Sequence, residues 1–91
     1  MTLKDRYAIR LTKAAEKELY DLQPKQFKQV AKKIFSLQSQ PMPQDCKPLK
    51  GYPGSYRVDQ GEFRILYTIK EAELDVFRVG KRNDDEVYEN L

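Results

Sequence analysis

Histidine is missing from all 91 residues, which removes the usual imidazole proton shuttle and most nucleophile–base pairings. Cysteine occurs once, as Cys46 in the proline-rich stretch QPMPQDCKP, so no intrachain disulfide can form. With no histidine and no second thiol, a Cys/His metal site is excluded too, and Cys46 reads as an incidental thiol. No run approaches the roughly 20 apolar residues that cross a bilayer. The opening MTLKDRYAIRL has neither the apolar stretch nor the small-residue cleavage site of a signal peptide. A cytoplasmic protein with no membrane partner is expected. Internal repeats and low-complexity tracts are lacking as well, and no carboxylates cluster at metal-ligand spacing.

What is present suffices for one domain, residues 1–91. A chain this short buries only about 60–65% of its unfolded surface and cannot support two cores. The 40% hydrophobic fraction, with six Tyr and four Phe, is enough for a thin globular core, and the 34% charged fraction must lie mostly outside it. The net charge of +3 is unevenly spread. Residues 83–91 (NDDEVYENL) hold four of the fourteen carboxylates and none of the seventeen bases, which leaves the first 82 residues at +7. Such a body suits a polyanionic partner, although an ordinary soluble surface also carries many lysines.

Hydrophobic spacing orders the elements. Tyr7, Ile9 and Leu11 alternate as in a half-buried strand. Thr12 suits a helix N-cap, and Ala15, Leu19 and Leu22 recur at helical spacing in a helix that ends near Gln23. Pro24 then opens a second helix with the stripe Phe27, Val30, Ala31, Ile34 and Leu37. Lys25, Lys28, Lys32 and Lys33 lie largely off that stripe, either as solvated lysines or as a footprint on RNA phosphates. Residues 39–54 hold four of the five prolines and two of the four glycines and read as a loop without regular structure. Three strands follow, Ser55–Asp59, Phe63–Ile69 and Leu74–Lys81, joined through Gln60-Gly61 and Lys70–Glu73 as antiparallel hairpins. A short helix, Asp85–Leu91, capped by Asn83 or Asp84, closes the chain. The expected fold class is α+β, with a helix hairpin on one face of a small twisted antiparallel sheet in the order β-α-α-β-β-β-α.

Strand parity sorts the side chains, since neighbours along a strand point to opposite faces. Tyr56 and Val58 oppose Arg57 and Asp59. Phe63, Ile65, Tyr67 and Ile69 oppose Arg64, Leu66 and Thr68. Phe77 and Val79 oppose Val76, Arg78, Gly80 and Arg82. The helix hairpin covers only one face, so the open one is expected to show Arg57, Arg64, Arg78 and Arg82, which repel one another unless an anion lies between them. Leu66 and Val76 fall on the same face and are expected to be covered at times by the last helix, by nucleobases or by a partner protein.

Without histidine, phosphoryl transfer remains feasible. RNA brings its own nucleophile in the 2′-hydroxyl, and permanently charged guanidinium groups can stabilise the charge on the phosphate. Tyr88 has two readings: a phenol whose pKa is lowered by neighbouring cations, or an aromatic anchor for the last helix.

The segments Pro48-Leu49-Lys50-Gly51, Tyr56-Arg57-Val58, Gly61-Glu62-Phe63-Arg64-Ile65-Leu66-Tyr67 and Val79-Gly80-Lys81-Arg82 through Glu86-Val87-Tyr88 resemble the RelE branch of the RelE/ParE toxin superfamily, over nearly the whole chain. The resemblance implies a fold similar to that of microbial ribonucleases. It further implies cleavage of mRNA in the ribosomal decoding site, leaving a 2′,3′-cyclic phosphate, without a metal or other cofactor and under the control of a small antitoxin. By position it implies that Arg64 holds the scissile phosphate, that Arg82 stabilises charge or assists the leaving oxygen, that Tyr88 acts at the 2′-hydroxyl or orients the RNA, and that Arg57 replaces a lysine that binds phosphate or moves a proton. Lys28, Lys32, Lys33, Lys47, Lys50, Arg78 and Lys81 are expected to contact RNA or the ribosome. Asp59 departs from the family's basic residue and either weakens RNA binding or assists proton transfer. Two other functions fit the residues: a ParE-like toxin acting on DNA gyrase, and a non-enzymatic RNA- or protein-binding module. The set Arg64, Arg82 and Tyr88 argues against the first.

Overall fold

The computed structural model describes residues 6–82. Thr12 caps as its position predicts: its Oγ1 accepts from the Ala15 backbone N–H at 3.1 Å, and α1 (Lys13–Tyr20) follows. Helix α2 (Pro24–Ser36) starts on a proline, whose missing N–H would have had no partner in a first turn anyway. Stacking of Tyr20 on Phe27, with ring centroids 5.7 Å apart, fastens the two helices near their connection.

Among the described residues, five strands form one sheet in the order β1-β5-β4-β3-β2: β1 (Ala8–Leu11), β2 (Lys47–Pro48), β3 (Ser55–Gln60), β4 (Phe63–Lys70) and β5 (Glu73–Lys81). The three long strands pair antiparallel, as expected, through loops of two residues, the second shorter than the expected Lys70–Glu73, but β1 joins β5 in parallel and makes the sheet mixed. Short loops dictate direction only for the strands they join, and β1 is separated from its neighbour by the whole chain between them. Residues 39–54 are also less irregular than their prolines imply. Lys47 and Pro48 pair with Arg57 and Tyr56, at the sheet edge where a proline can be tolerated. The preceding segment is tied down by the Tyr67 hydroxyl, which donates to the Pro41 carbonyl at 2.8 Å, and by the Lys33–Asp45 ion pair at 3.3 Å. Burial pushes the Tyr67 phenol well above its ordinary pKa and keeps that donor protonated.

The core lies between helices and sheet. Ala15 and Leu19 of α1, Val30 and Ile34 of α2, and Leu37 beyond it pack on Val58, Phe63, Ile65, Tyr67, Leu74, Val76 and Val79. Strict parity fails in β5. Leu66 pairs with Arg78 and Tyr67 with Val76, so Phe77 is an extra residue, a β-bulge. The bulge corrects two expectations. Val76 is buried in the helix-covered core, and Phe77 packs with Leu49 and Leu66 in a second cluster. Leu66 is 0% exposed there and does not need a cover from outside the domain. The last expected helix and its cap lie outside the described residues. If the bulge sets the faces as described, Val76→Ala should lower stability by about 2 kcal/mol, as deletion of buried methyl groups does. The check is the urea midpoint; an open-face valine would change it by only about 0.5 kcal/mol or less.

Candidate functional site

The hairpin joining β3 to β4 turns at Gly61-Glu62, with Gly61 at φ +61°, one residue later than the expected Gln60-Gly61. That register sets Asp59 directly opposite Arg64, and Arg57 opposite Leu66. Cross-strand partners share a face, so Arg57, Asp59, Arg64 and Leu66 all lie on the side away from Val58 and Ile65.

Arg64 and Asp59 are bound to each other. The guanidinium donates from Nε to Oδ1 at 2.8 Å and from Nη2 to Oδ2 at 3.4 Å. The Arg64 side chain is only 15% exposed and that of Asp59 34%. The Arg64 hydrogen bond, followed by the charges of Arg64, Arg82 and Arg57, holds the Asp59 carboxyl below its ordinary pKa against the opposing effect of burial. Three of the four predicted arginines therefore gather around one carboxylate. Arg82 is exposed at the end of β5; its Nη1 donates to the Gly61 carbonyl at 3.3 Å and its backbone N–H to Glu62 at 2.8 Å, which pins it to the same hairpin.

Arg78 has a carboxylate partner of its own on α1. Its Nε donates to Glu18 of α1 at 3.0 Å, and the same carboxylate accepts the Val79 backbone N–H at 2.9 Å. Strand β1 ends opposite Val76, so Glu18 supplies the partner that the edge of β5 lacks beyond that point. Sequence reasoning singled out Asp59 but not its pairing with Arg64, and it missed Glu18. Asp59 was legible from hairpin register; Glu18 had no signal, since its role depends on where α1 meets the sheet.

The predicted lysines divide. Lys28 and Lys32 are exposed on α2, in the helix layer, and Lys33 is half-buried and paired to Asp45. Lys47 stands opposite Arg57 in β2; Lys50 and Lys81 are exposed. Tyr88 lies outside the described residues. No helix among the described residues is long and apolar enough to cross a membrane.

A family model described as the ParE toxin of the type II toxin-antitoxin system parDE matches residues 9–86. A curated protein of Methanocaldococcus jannaschii assigned as toxin RelE1 is 34% identical over 67 residues, which are 70% of this chain and 74% of that protein. The chain belongs to the RelE/ParE superfamily of toxins. Among solved structures, this RelE/ParE chain is similar to the toxin–antitoxin complex RelBE2 of Mycobacterium tuberculosis, at 29% identity and TM-score 0.75, over 87% of this chain and 94% of that one. It is similar also to a mutant of E. coli toxin RelE in the free state, at 25% identity and TM-score 0.77, over 91% and 90%.

The depressed Asp59 pKa makes a stability prediction for this superfamily member. A carboxyl whose folded pKa lies below its unfolded value adds stability above the unfolded pKa, and that stability is lost as pH falls through the folded pKa. Wild type should therefore lose stability on acidification below about pH 4, the unfolded aspartate value. Asp59→Asn should show a shallower loss over the same window in urea midpoints measured against pH.

Proposed function

We propose that this toxin is a ribosome-dependent endoribonuclease that cleaves mRNA in the decoding site and is silenced by a cognate antitoxin. The observation that carries the proposal is the grouping of Arg64, Arg57 and Arg82 around one anion position on the face opposite the helices, in a chain whose relatives include RelE toxins. In the proposed reaction the RNA 2′-oxygen attacks the adjacent phosphorus as the bond to the 5′-oxygen breaks, leaving a 2′,3′-cyclic phosphate. The 2′-hydroxyl proton passes to a base, with Tyr88 as the candidate, and the departing 5′-oxygen takes up a proton. Arg64 holds the phosphate, and Arg82 and Arg57 stabilise the charge that builds on its oxygens. No metal is needed in this scheme, because fixed guanidinium charges do the neutralising.

Lys28, Lys32 and Lys33 on α2, with Lys47, Lys50, Arg78 and Lys81, are assigned to docking on RNA. The antitoxin partner is proposed from RelBE2 of M. tuberculosis, which is a toxin–antitoxin complex, and from charge. The +7 body of residues 1–82 suits an acidic partner, and the buried Leu66 and Val76 leave charge rather than those two side chains as the argument. The match to a ParE model favours one second reading, inhibition of DNA gyrase. Purified ribosomes carrying mRNA, set beside a gyrase cleavage assay, separate the two.

Arg64→Ala should slow single-turnover cleavage of ribosome-bound mRNA by roughly 100- to 1000-fold, the typical effect of removing a preorganised donor to developing charge. Tyr88→Phe keeps the ring and removes the hydroxyl, so a slowed reaction assigns it to proton transfer and a normal rate assigns it to structure. Normal cleavage by Arg64→Ala would overturn the catalytic assignment. Replacing Lys28, Lys32 and Lys33 with Glu should weaken ribosome binding and flatten its dependence on salt, since fewer counterions are then released; binding unchanged across a salt series would sink the docking role.

A further inference from the structure

The Arg64 guanidinium is already occupied where a phosphate would be expected. Asp59 takes two of its N–H donors, at Nε and Nη2, with two different carboxylate oxygens, which is the fork arrangement by which arginine also grips two phosphate oxygens. Carboxylate and phosphate therefore compete for the same edge of the same side chain. Among the described residues, the charged groups acting on Asp59 are Arg57 from its own strand, Arg64 from β4 and Arg82 from the end of β5, all cationic. An aspartate held ionised by three guanidinium groups is a weak base, which argues against a role in accepting the 2′-hydroxyl proton.

We propose that Asp59 is a resident counter-anion that holds Arg64 in its phosphate-binding pose and must be displaced by the RNA phosphate, which makes it a positioning and selectivity residue. This rests on the reading of Arg64 as the phosphate contact. Two consequences follow from the geometry. Arg64 is spared the loss of rotamer freedom on binding, because Asp59 already fixes it. A free small anion must displace Asp59 with a single interaction, whereas a phosphate carried on RNA anchored elsewhere on the basic surface arrives at high effective concentration. The site is thereby biased toward anchored RNA and against free anions.

The test uses the full chain and two probes: sulfate, which stays doubly charged to far lower pH than phosphate does, and a single-stranded RNA carrying 2′-deoxy sugars so that it cannot be cleaved. Asp59→Asn is expected to bind both more tightly, by about 10-fold, the scale of one competing charged contact, and the gain should be larger for sulfate than for RNA. In wild type, the Asp59 carboxyl, followed by carbon NMR, should titrate at higher pH when sulfate is saturating, because displacement removes its hydrogen bonds to Arg64. This second measurement needs no variant. Unchanged or weaker binding by Asp59→Asn, or an Asp59 titration indifferent to sulfate, would overturn the proposal. Arg64→Ala separates the two levels. If it loses affinity while Asp59→Asn gains none, the counter-anion role alone is wrong; if it binds both probes like wild type, the reading of Arg64 as the phosphate contact fails and the proposal falls with it.

Discussion

The extra residue in β5 governs both faces of the sheet. Between Val76 and Arg78 the strand carries Phe77 without a partner in β4, and this lets Leu74, Val76 and Val79 all reach the helix-covered core. Phe77 itself turns to Leu49 and Leu66 on the other side, closing a small apolar patch beneath the basic face. Beyond the bulge, Arg78 and the Val79 N–H meet Glu18 of α1, so that the strand edge left bare by the short β1 is satisfied by a side chain. The strand then delivers Arg82 to the Gly61-Glu62 hairpin. Without the bulge these placements could not coexist, because a one-residue change in phase flips every later side chain.

The composition of β5 itself demands a break in phase. An unbroken alternation must send to the core either Leu74, Val76, Arg78 and Gly80 or Asp75, Phe77, Val79 and Lys81, and each set buries a charge. A break between Val76 and Val79 puts Leu74, Val76 and Val79 on one face and leaves its charge, Lys81, at the exposed end of the strand. The elements with simple periodicity were legible: the Thr12 cap, the Pro24 start, the stripe on α2 and the three hairpin-linked strands all follow from local spacing. The parallel docking of β1 and the Glu18 contact were not, because they depend on how distant segments meet. Proline content misled for Lys47 and Pro48, since a sheet edge tolerates a residue without an N–H.

For the candidate site, the sequence located the arginines but misjudged their electrostatics. Parity alone leaves four guanidinium groups on one face in need of an anion, yet two carboxylates within the described residues answer two of them. Asp59 departs from a basic pattern, and a hairpin loop one residue later than its sequence suggests sets it opposite Arg64. Unlike Asp59, Glu18 also serves the backbone, accepting the Val79 N–H, so the two carboxylates differ in kind. The Arg78 pair completes a sheet edge. The Arg64 pair completes no secondary structure.

This difference bears on why the Arg64–Asp59 pair exists. Partly buried ion pairs commonly yield little net stability, because desolvation of both groups offsets their attraction. Here an alternative of simply leaving position 59 neutral would remove one desolvated charge but also remove the carboxylate that offsets the repulsion of Arg64 by Arg57 and Arg82 in a half-buried setting. The carboxylate thus makes it tolerable for the fold to collect guanidinium groups at the proposed phosphate site. It does so at a position that an incoming anion can take over, since Asp59 remains 34% exposed and holds no backbone group among the hydrogen bonds it makes to Arg64. A basic site that must stay folded in the absence of its ligand needs such a stand-in, and a neighbouring strand is the simplest element that can supply one at fixed distance.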